Sequence, residues 1–374
     1  MTQNERVFAA LDKRVPDRTP IFEYVLLNPL ASVFAGREYL HYDNEHGGFL
    51  DFAKEQGLDK AVRRYAGDRA KISYTLGHDM MYVIPNPVPE PGQKLTYPDY
   101  NRECDWGDPV SVIETRNKYL RFGIEYAVYD ERAMLVYEYI REELAAYGAD
   151  LPFFAPAYSH GIGVDVDLMQ AMALAPEVTA ENFRLRTETA KKSIGAYMRH
   201  GIKIIGVGGD FAGKRLLISP EMYRSQIVPE VKKSAEFIHS MGGYAVNASD
   251  GDLWSVIDDF LVGCGVDAFM EIDRHAGMEI AKLIARFGKK ITFFGDIDCG
   301  NTLSFCSPEE IRKDAARCLE EGRAGSHIFT PGNAITSSIS LENYLAMVNG
   351  YREYWGLDVI DMGGKAYVKK RICF

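Results

Sequence analysis

Acidic and amide side chains recur where the strands predicted from the sequence end. The clearest group is Asn247-Ala-Ser-Asp-Gly251, which follows the apolar run Tyr244–Val246. Gly251 lets the backbone turn close to a ligand, because glycine carries no side chain that would obstruct the turn. Further polar residues at predicted strand ends are Glu23, His78, Asp79, Tyr158, His160, Asp210, Glu271, Asp273, Asp296, Asp298 and Asn333. In parallel α/β folds, chemistry is placed on such a layer of strand ends.

These carboxylates indicate either acid–base chemistry or a bound cation. Carboxylates that converge on one cavity cannot all be ionised unless a cation neutralises them; otherwise one stays protonated and becomes a general acid. We predict that Asp250 is this acid, and its alternative role is to cap the predicted helix Leu253–Cys264. Glu23, Asp210 and Glu271 would shape the acidic pocket. If a metal ion is bound, these three and Asp250 would be its oxygen ligands. The residues predicted to orient the substrate are Tyr158, His160, Asn247 and Asn333.

Other kinds of site find no support in the sequence. Neither the GxSxG motif of serine hydrolases nor the HExxH motif of zinc peptidases occurs. The cysteines form no CxxC pair and are expected to be reduced, mostly buried thiols; they are Cys104, Cys264, Cys299, Cys306, Cys318 and Cys373. Four histidines are expected at the surface or at helix ends, namely His41, His46, His200 and His239.

Composition and charge restrict the partners. The chain has 374 residues and a formal net charge of −10, which argues against nucleic acid or an anionic membrane as its main partner. The first twenty residues are polar, without the apolar segment of a signal peptide. No stretch approaches the ~18 consecutive apolar residues of a membrane-spanning helix. We therefore expect a cytoplasmic protein that acts on a small molecule, and homodimerisation is compatible with the sequence.

Short apolar strands alternate with amphipathic helices, which predicts right-handed βαβ units and a parallel sheet. The predicted strands are Thr19–Glu23, Met80–Ile84, Leu151–Ala155, Ile202–Val207, Tyr244–Val246, Asp267–Glu271, Lys290–Phe294 and His327–Thr330. The predicted helices after the third strand are Val166–Ala175, Ala180–His200, Pro220–Met241, Leu253–Cys264, Ile280–Phe287, Pro308–Glu321 and Leu341–Trp355. Eight strands close a (β/α)8 TIM barrel. The doubly wound alternative lacks its GxGxxG signature here, and Gly206-Val-Gly-Gly209 is interpreted as a strand end.

We expect residues 1–374 to form one barrel domain with long decorated loops after the first and second strands. The segments Pro85–Gly92 and Thr96–Gly107 are rich in proline and aromatic residues, which predicts loop and hairpin structure instead of helix. Long loops in compact domains are often functional lids. An insertion at about residues 28–120 is therefore predicted to cover the barrel mouth.

A series of short motifs carries a family resemblance. They are Arg14-Val-Pro-Asp-Arg-Thr-Pro20, Leu217-Ile-Ser-Pro-Glu-Met-Tyr223, Ser249-Asp-Gly-Asp252, Gly265-Val-Asp-Ala268, Gly295-Asp-Ile-Asp298, Ser307-Pro-Glu-Glu-Ile311, Pro331-Gly-Asn333 and Glu342-Asn343. In their order and spacing, the chain resembles the uroporphyrinogen decarboxylase superfamily, which includes corrinoid-linked methyltransferases. The resemblance covers nearly the whole chain and is strongest after residue 200. It implies a barrel with a deep site at the carboxyl ends of the strands, and the reaction must be argued from that site.

Two departures from the family pattern narrow the reaction that the resemblance implies. Decarboxylases of the family carry an N-terminal signature, roughly Arg-Gln-Ala-Gly-Arg-Tyr, that holds a substrate with many carboxylates. Here the position reads Phe22-Glu-Tyr-Val-Leu-Leu-Asn-Pro29, and Glu23 would repel a polyanion. The thiol-methylating branch binds zinc through a His-x-Cys at the fifth strand and a Cys near the eighth. This chain has Ala248, Asp250 and Asn333 at those positions, so neither tetrapyrrole decarboxylation nor zinc activation of a thiol is implied.

The remaining branch consists of methyltransferases that demethylate a small methoxylated or methylated substrate and pass the methyl group to the cobalt of a corrinoid protein. A protonated carboxyl or a bound cation would stabilise the leaving oxygen or nitrogen. No Asp-x-His-x-x-Gly corrinoid-binding motif occurs, so the corrinoid (cobalamin) is expected on a partner protein. The aromatic residues Tyr97, Tyr100 and Trp106 would cover a ring of the substrate or the corrin face, or alternatively pack as core under a long loop.

Two other functions remain open at this point. The first is decarboxylation of a smaller carboxylic acid, which would place a basic residue in the pocket; Lys214 and Arg215 are the only basic strand-end candidates. The second is a non-catalytic role as a partner of a corrinoid protein.

Overall fold

The computed structural model describes residues 1–42, 48–89 and 95–362. Within these residues the centre of the fold is a parallel sheet of seven strands in sequence order. The strands are β1 (Met81–Tyr82), β2 (Phe153–Pro156), β3 (Ile204–Gly208), β4 (Tyr244–Ala248), β5 (Ala268–Met270), β6 (Thr292–Phe294) and β7 (His327–Ile328). Each overlaps one of the predicted strands from the second to the eighth, which confirms the α/β class and the parallel sheet. Predictions for His46, Cys373 and the end of the segment Pro85–Gly92 lie outside the described residues.

The predicted first strand, Thr19–Glu23, is not a strand of this sheet. Ile21 alone forms a bridge, with Phe329, and the Ile21 amide donates to the carboxylate of Asp79 (3.0 Å) instead of to a neighbouring strand. The segment still bonds in both directions, because the Phe22 amide donates to the Phe329 carbonyl (3.2 Å) and the Asp79 amide donates to the Ile21 carbonyl (2.7 Å). It therefore lies between the segments that carry β7 and β1, where the predicted barrel required a strand.

Helices surround the sheet and connect its strands. Those before β2 are α1 (Gln3–Leu11), α2 (Leu30–Ala35), α3 (Phe49–Gln56), α4 (Leu58–Leu76), α5 (Pro109–Tyr126) and α6 (Leu135–Ala146). Those after β2 are α7 (Val166–Leu174), α8 (Pro176–Arg199), α9 (Pro220–Met222), α10 (Val228–Ser240), α11 (Ile280–Phe287), α12 (Pro308–Glu321) and α13 (Leu341–Tyr354). In the part of the chain that the structure describes, none of them is long and apolar enough to cross a membrane.

The predicted helix Pro220–Met241 is interrupted. A π-helical turn, Tyr223–Ile227, joins α9 to α10. Pro229, at the start of α10, has no amide hydrogen for the regular helical bond, so the ladder is locally widened before it. The start of this helical region is as predicted, because the Ser219 side chain caps it with Pro220 at the first helical position.

The predicted helix Leu253–Cys264 is wrong over its first four residues. The chain there forms a turn, and the helical part is mainly the π-helical turn Asp259–Gly263. The Asp252 carboxylate accepts the Trp254 amide (3.0 Å) and holds the turn. The local capping role that was the alternative for Asp250 is therefore taken by Asp252.

The long connections differ on the two sides of β1. Before β1 they are filled by α2, α3 and α4. After it, the described residues 95–108 contain one 3₁₀ turn, Tyr100–Glu103, and no strand, so the predicted hairpin is wrong there. Tyr97 and Tyr100 pack against Tyr119 of α5, with ring centroids 6.0 and 4.9 Å apart, and Trp106 is 66% exposed. Tyr97 and Tyr100 thus follow the packing alternative, whereas the exposed Trp106 is not part of the core.

Alternating side chains divide the core into two parts. Side chains on the inner face of the curled sheet form an inner cluster. Side chains that point to the opposite face of the same strands, such as those of Phe153 and Ala155, pack against the helices. The inner cluster contains Val7, Ala10, Leu11, Phe22, Met80, Phe154, Ile204, Val246, Ala268, Met270, Phe294 and Ile328. Since it joins α1 to residues at strand starts, such as Met80 and Ile204, the amino end of the sheet is closed. Space for a ligand is left at the carboxyl end.

Candidate active site

A cavity of about 280 Å³ opens at the carboxyl ends of β2 to β5. This is the end of the strands at which α/β barrels carry their active sites. Its polar wall consists of Tyr24, Tyr82, Tyr158, Ser159, Asp210 and Glu271. Three of the predicted site residues, Tyr158, Asp210 and Glu271, are therefore brought together by the fold.

Backbone from the end of β3 forms part of the cavity wall. Gly208 and Gly209 have φ values of +117° and +126°, which favour glycine. A Cβ atom at Gly208 would lie 2.0 Å from Asn247 Oδ1, and one at Gly209 would lie 2.8 Å from Ser159 Oγ. The interpretation of Gly206–Gly209 as a strand end is confirmed. These glycines allow the chain to approach both the neighbouring strand and a ligand closely.

Glu271, directly after β5, is half-buried and lines the cavity. Its φ is +66°, which a residue with a side chain adopts only when the surrounding contacts enforce it. Burial and the charges of Asp250 and Asp210 raise the pKa of Glu271 to about 8, against a hydrogen bond from Tyr24 that lowers it. At neutral pH this carboxyl is mainly protonated and can donate a proton.

Asp250, two residues after β4, is held on both sides. Asn333 Nδ2 donates to Asp250 Oδ2 (2.8 Å), and the Asp250 amide donates to Asp210 Oδ1 (3.1 Å). Burial and the charge of Asp210 raise the pKa of Asp250 to about 6, and the hydrogen bond from Asn333 lowers it. Asp250 is therefore mainly ionised at neutral pH. Its charge is one of the two that keep the proton on Glu271.

Glu23 is buried and is not part of the cavity wall. Neither of its carboxyl oxygens has a hydrogen-bond partner among the described residues. Burial raises the pKa of Glu23 to about 8, and the nearby Tyr344 hydroxyl, also buried, lowers it by less. Glu23 is thus mainly neutral at physiological pH. The sequence suggested a fixed negative charge at this position, but the buried carboxyl of Glu23 is protonated instead.

His160 and Asn247 are engaged in hydrogen bonds that hold the strand ends. The Ile162 amide donates to His160 Nδ1 (3.3 Å), and burial lowers the pKa of His160 to about 3, so the ring is neutral. Asn247 Nδ2 donates to the Phe260 carbonyl (2.9 Å), and its Oδ1 accepts the Ala248 amide (3.0 Å). Neither residue is in the cavity wall. Their contact with substrate stays a prediction, as does that of Asn333, which orients Asp250.

Other predicted strand-end residues lie away from the cavity. Asp79 precedes β1, at the amino end of the sheet, and forms buried ion pairs with Arg6 (2.6 Å) and Arg18 (2.9 Å). Asp296 pairs with Arg317 (2.8 Å). The side chains of Asp273 and Asp298 cap local turns. Lys214 and Arg215 are exposed and do not line the cavity.

The histidines and cysteines mostly follow expectation. His200 and His239 pair with Glu131 (3.1 Å) and Asp267 (2.7 Å) near the surface. His41 is buried with its ring 4.6 Å from that of Tyr39, so its predicted surface position is wrong. The cysteines that the structure describes are free thiols, buried or half-buried; they are Cys104, Cys264, Cys299, Cys306 and Cys318.

Two tyrosines in the cavity wall were missed by the sequence analysis. Tyr24 and Tyr82 pack edge to face with centroids 4.6 Å apart, and Tyr24 hydrogen-bonds to Glu271. The carbonyl of Tyr82 accepts a hydrogen bond from Arg69 of α4. Their positions in the sequence could have indicated them, because Tyr24 directly follows Glu23 and Tyr82 lies within the second predicted strand. At these two strands the phenolic hydroxyls were not considered as site residues.

The arrangement suits acid chemistry better than metal chemistry. Within residues 1–42, 48–89 and 95–362, no three His, Cys, Asp or Glu side chains are placed to hold a metal ion. The Cys299 thiol lies near Asn333, and its Sγ donates to the Asn333 carbonyl (3.1 Å). Burial raises the pKa of Cys299 to about 12, so this thiol is neutral at physiological pH. The site can therefore donate a proton from Glu271 but offers no thiolate.

Comparison with known proteins identifies the family and the fold. Residues 162–354 match the sequence profile described as uroporphyrinogen decarboxylase (URO-D), a range that includes Asp210, Asp250, Glu271 and Asn333. Among solved structures, the chain is similar to a methyltransferase from Methanosarcina mazei, with a TM-score of 0.64 and 17% identity over 95% of this chain and 99% of that chain. At this identity the likeness concerns the fold. No curated protein matches the chain.

Proposed function

The chain belongs to the uroporphyrinogen decarboxylase family, and from this premise we propose that it is a methyltransferase. It takes the methyl group of a small methoxylated or methylated substrate and passes it to a corrinoid that a partner protein carries. The observation that carries the proposal is the half-buried carboxyl of Glu271 in the cavity wall, whose pKa is raised by burial and by the charges of Asp250 and Asp210. Departure of an alkoxide or phenolate needs a proton donor of this kind.

Glu271 serves the leaving group in this proposal, in place of Asp250. As the bond between the methyl carbon and the substrate oxygen breaks, the oxygen takes the proton of Glu271. The carboxylate that remains keeps its hydrogen bond from Tyr24. Asp250, fixed by Asn333 (2.8 Å), maintains the negative field that keeps Glu271 protonated beforehand. A raised pKa near the working pH gives both a large protonated fraction and a ready transfer.

The cavity selects a small and largely uncharged donor. Its volume is about 280 Å³, and Tyr24, Tyr82 and Phe154 supply aromatic surface for a ring or a short chain. A corrin macrocycle is too large for it, so the corrinoid is brought to the mouth by its own protein. A reduced corrinoid supplies the nucleophilic cobalt that accepts the methyl group. Val164, at the rim, is 95% exposed and offers apolar contact there.

Decarboxylation of a carboxylic acid suits the cavity less well. Among the described residues that line the cavity, none is Lys, Arg or His. An anionic substrate would meet Asp210 and the field of Asp250 without a compensating cation. This function is therefore the second candidate. A non-catalytic role would leave the proton on Glu271 without use.

We also infer that the family fold is complete in this chain as one (β/α)8 domain. The segment around Ile21 supplies the eighth position, because it hydrogen-bonds toward both β1 and β7. Residues 1–374 would then form a single cytoplasmic protein domain whose site opens at one end.

An anaerobic assay tests the function. The protein is incubated with reduced cobalamin and a panel of methoxylated aromatics and methylamines, and methylcobalamin is followed by its absorbance. We expect formation with at least one donor. We expect Glu271→Gln to lower kcat about 100-fold or more with little change in KM, because the general acid acts mainly in the transition state.

Glu309→Gln is the matched control. Glu309 is an exposed glutamate of α12 that pairs with Lys313 (2.8 Å), and its substitution should leave kcat unchanged. Methyl transfer that survives Glu271→Gln at full rate would remove Glu271 from the mechanism. Carbon dioxide release from a carboxylic acid, with no methylcobalamin from any donor, would favour the decarboxylase instead.

A further inference from the structure

A second concave region lies between α5 and α8. It consists of two cavities of about 460 and 640 Å³ that share Tyr119, Leu120, Thr189 and Ser193, so they form one continuous groove. We name it the α5–α8 groove. Tyr158 and Ser159 form part of its wall and also part of the catalytic cavity wall. The groove is thus a separate space that adjoins the active site at the end of β2.

One guanidinium in the groove is not neutralised. Arg186 lines the groove half-buried, and its Nε donates to Asn182 Oδ1 (2.8 Å). Its Nη1 makes a long contact with the Ser159 carbonyl (3.4 Å). No ion pair joins Arg186 to a carboxylate within the described residues. Arg116, in the same wall, is by contrast paired with Asp165 (2.5 Å) and Asp167 (3.7 Å).

Lys192, in the wider part of the groove, uses its ammonium to donate to the carbonyls of Gly123 (3.2 Å), Ile124 (2.6 Å) and Ala127 (2.8 Å). Among the described groove residues, Arg186 is therefore the cation with donor atoms left for a ligand.

A buried hydroxyl with little hydrogen bonding lies in the same wall. Tyr158 is 5% exposed, and its hydroxyl makes no hydrogen bond of standard geometry among the described residues, with only the Thr187 side chain near it. Burial raises the pKa of Tyr158, and the charge of Arg186 lowers it by less. Both side chains line the same part of the groove. A ligand that bonds to Arg186 would meet this hydroxyl nearby.

Apart from Lys192 and a few neutral polar side chains, the rest of the groove is mainly apolar. Leu120, Ala157 and Ala190 line the part next to Arg186, and Tyr119 continues into the wider part. One unpaired guanidinium balances one negative charge, and its planar fork matches a carboxylate. A phosphate dianion would leave charge uncompensated, close to Asp165 and Asp167. The surroundings favour a monoanion with an apolar body.

We propose that the α5–α8 groove is a binding site for a small monocarboxylate with an aromatic or aliphatic body. The carboxylate binds Arg186 with the Tyr158 hydroxyl within reach, and the body packs on Leu120 and Tyr119. The site is distinct from the catalytic cavity and does not depend on the methyltransferase function.

Calorimetric titration of the full chain with benzoate tests this proposal. We expect saturable binding at one site, and binding of neutral benzamide at least about tenfold weaker, because the charge-assisted pair with Arg186 is lost. Inorganic phosphate should also bind at least about tenfold more weakly than benzoate. Phosphate binding as tight as that of benzoate would overturn the assignment to an apolar monoanion.

Variants locate the binding in the groove. Arg186→Gln should weaken benzoate binding about tenfold or more. Arg184→Gln, on the same helix but exposed and paired with Glu181 (3.4 Å), should leave it unchanged. Thr189→Phe, at an exposed position that both cavities share, should block the groove while the protein stays folded. Benzoate affinity that is equal in the wild type, Arg186→Gln and Thr189→Phe would overturn the proposal, as would no detectable benzoate binding.

Discussion

Carboxyl groups are buried or partly buried at both ends of the strands, but positively charged side chains neutralise them at one end only. At the amino end, Asp79 is fully buried and accepts hydrogen bonds from Arg6 (2.6 Å) and Arg18 (2.9 Å). At the carboxyl end, Asp250 and Glu271 are partly buried, and no Lys or Arg is found among the described residues of the cavity wall. The chain has 43 Lys and Arg residues, so the absence of a cation from this wall does not follow from composition.

The difference separates carboxylates that stabilise the fold from carboxylates that can react. Burial raises the pKa of Asp79, but the charges of Arg18 and Arg6 lower it, and the two ion pairs fix the N-terminal segment against the sheet. A carboxyl beside other carboxylates, without a cation, binds a proton more tightly and can transfer it. We therefore expect substitutions at the two ends to separate stability from activity.

The largest effect on stability is expected at the amino end. Asp79→Asn leaves Arg6 and Arg18 without their buried counter-charge, which should lower the free energy of unfolding by about 3–5 kcal/mol. Urea unfolding followed by circular dichroism measures it. The kcat of the protein that remains folded should not change, because Asp79 lies away from the cavity.

The control at the amino end is Asp17→Asn. Asp17 also pairs with Arg6 (2.7 Å), but its side chain is 44% exposed, so the expected loss is below about 1 kcal/mol. Equal losses of unfolding free energy for the two variants would show that the buried ion pairs of Asp79 stabilise the fold no more than the exposed pair of Asp17. The contrast between the two ends would then fail.

A smaller effect, on pH dependence, is expected at the carboxyl end. The charge of Asp250 raises the pKa of Glu271, so Asp250→Asn should lower that pKa and shift the alkaline limb of the kcat profile to lower pH. A shift of one unit would reduce kcat about twofold at pH 7 and about tenfold well above pH 8. Stopped assays across the pH range measure the shift.

The same variant distinguishes the two candidate acids. If Asp250 were the proton donor itself, Asp250→Asn would lower kcat about 100-fold or more at every pH. A profile that keeps its shape and falls uniformly would therefore contradict the role given to Glu271. A limb that moves to higher pH would contradict the sign of the interaction between the two carboxyls.

The sequence predicted the sheet better than the site. Strand and helix alternation located β1 to β7, because period and length are local properties of the chain. The first predicted strand is not a strand of the sheet, since the Ile21 amide bonds to the carboxylate of Asp79, a residue 58 positions away along the chain. The predicted helix that begins at Leu253 is wrong at its start, because the turn held by the Asp252 carboxylate replaces its first four residues.

The candidate site was predicted in composition but not in roles. Asp210, Asp250 and Glu271 do converge, as the strand-end pattern required. Which of these carboxyls is protonated depends on its burial and on the neighbouring charges. The local sequence predicts neither of these properties, because both arise from residues that are distant along the chain. The same holds for Glu23, whose buried setting makes it neutral.

The protonation state of Glu271 is the most direct test of the central claim. Infrared difference spectra between the wild type and Glu271→Gln, recorded from pH 5 to about pH 10, isolate this carboxyl from the others, including Glu23. We expect a protonated-carboxyl band at pH 7 that is absent from the variant and converts to carboxylate bands with a midpoint near pH 8. Carboxylate bands from Glu271 already present at pH 7, with no protonated band, would contradict the account.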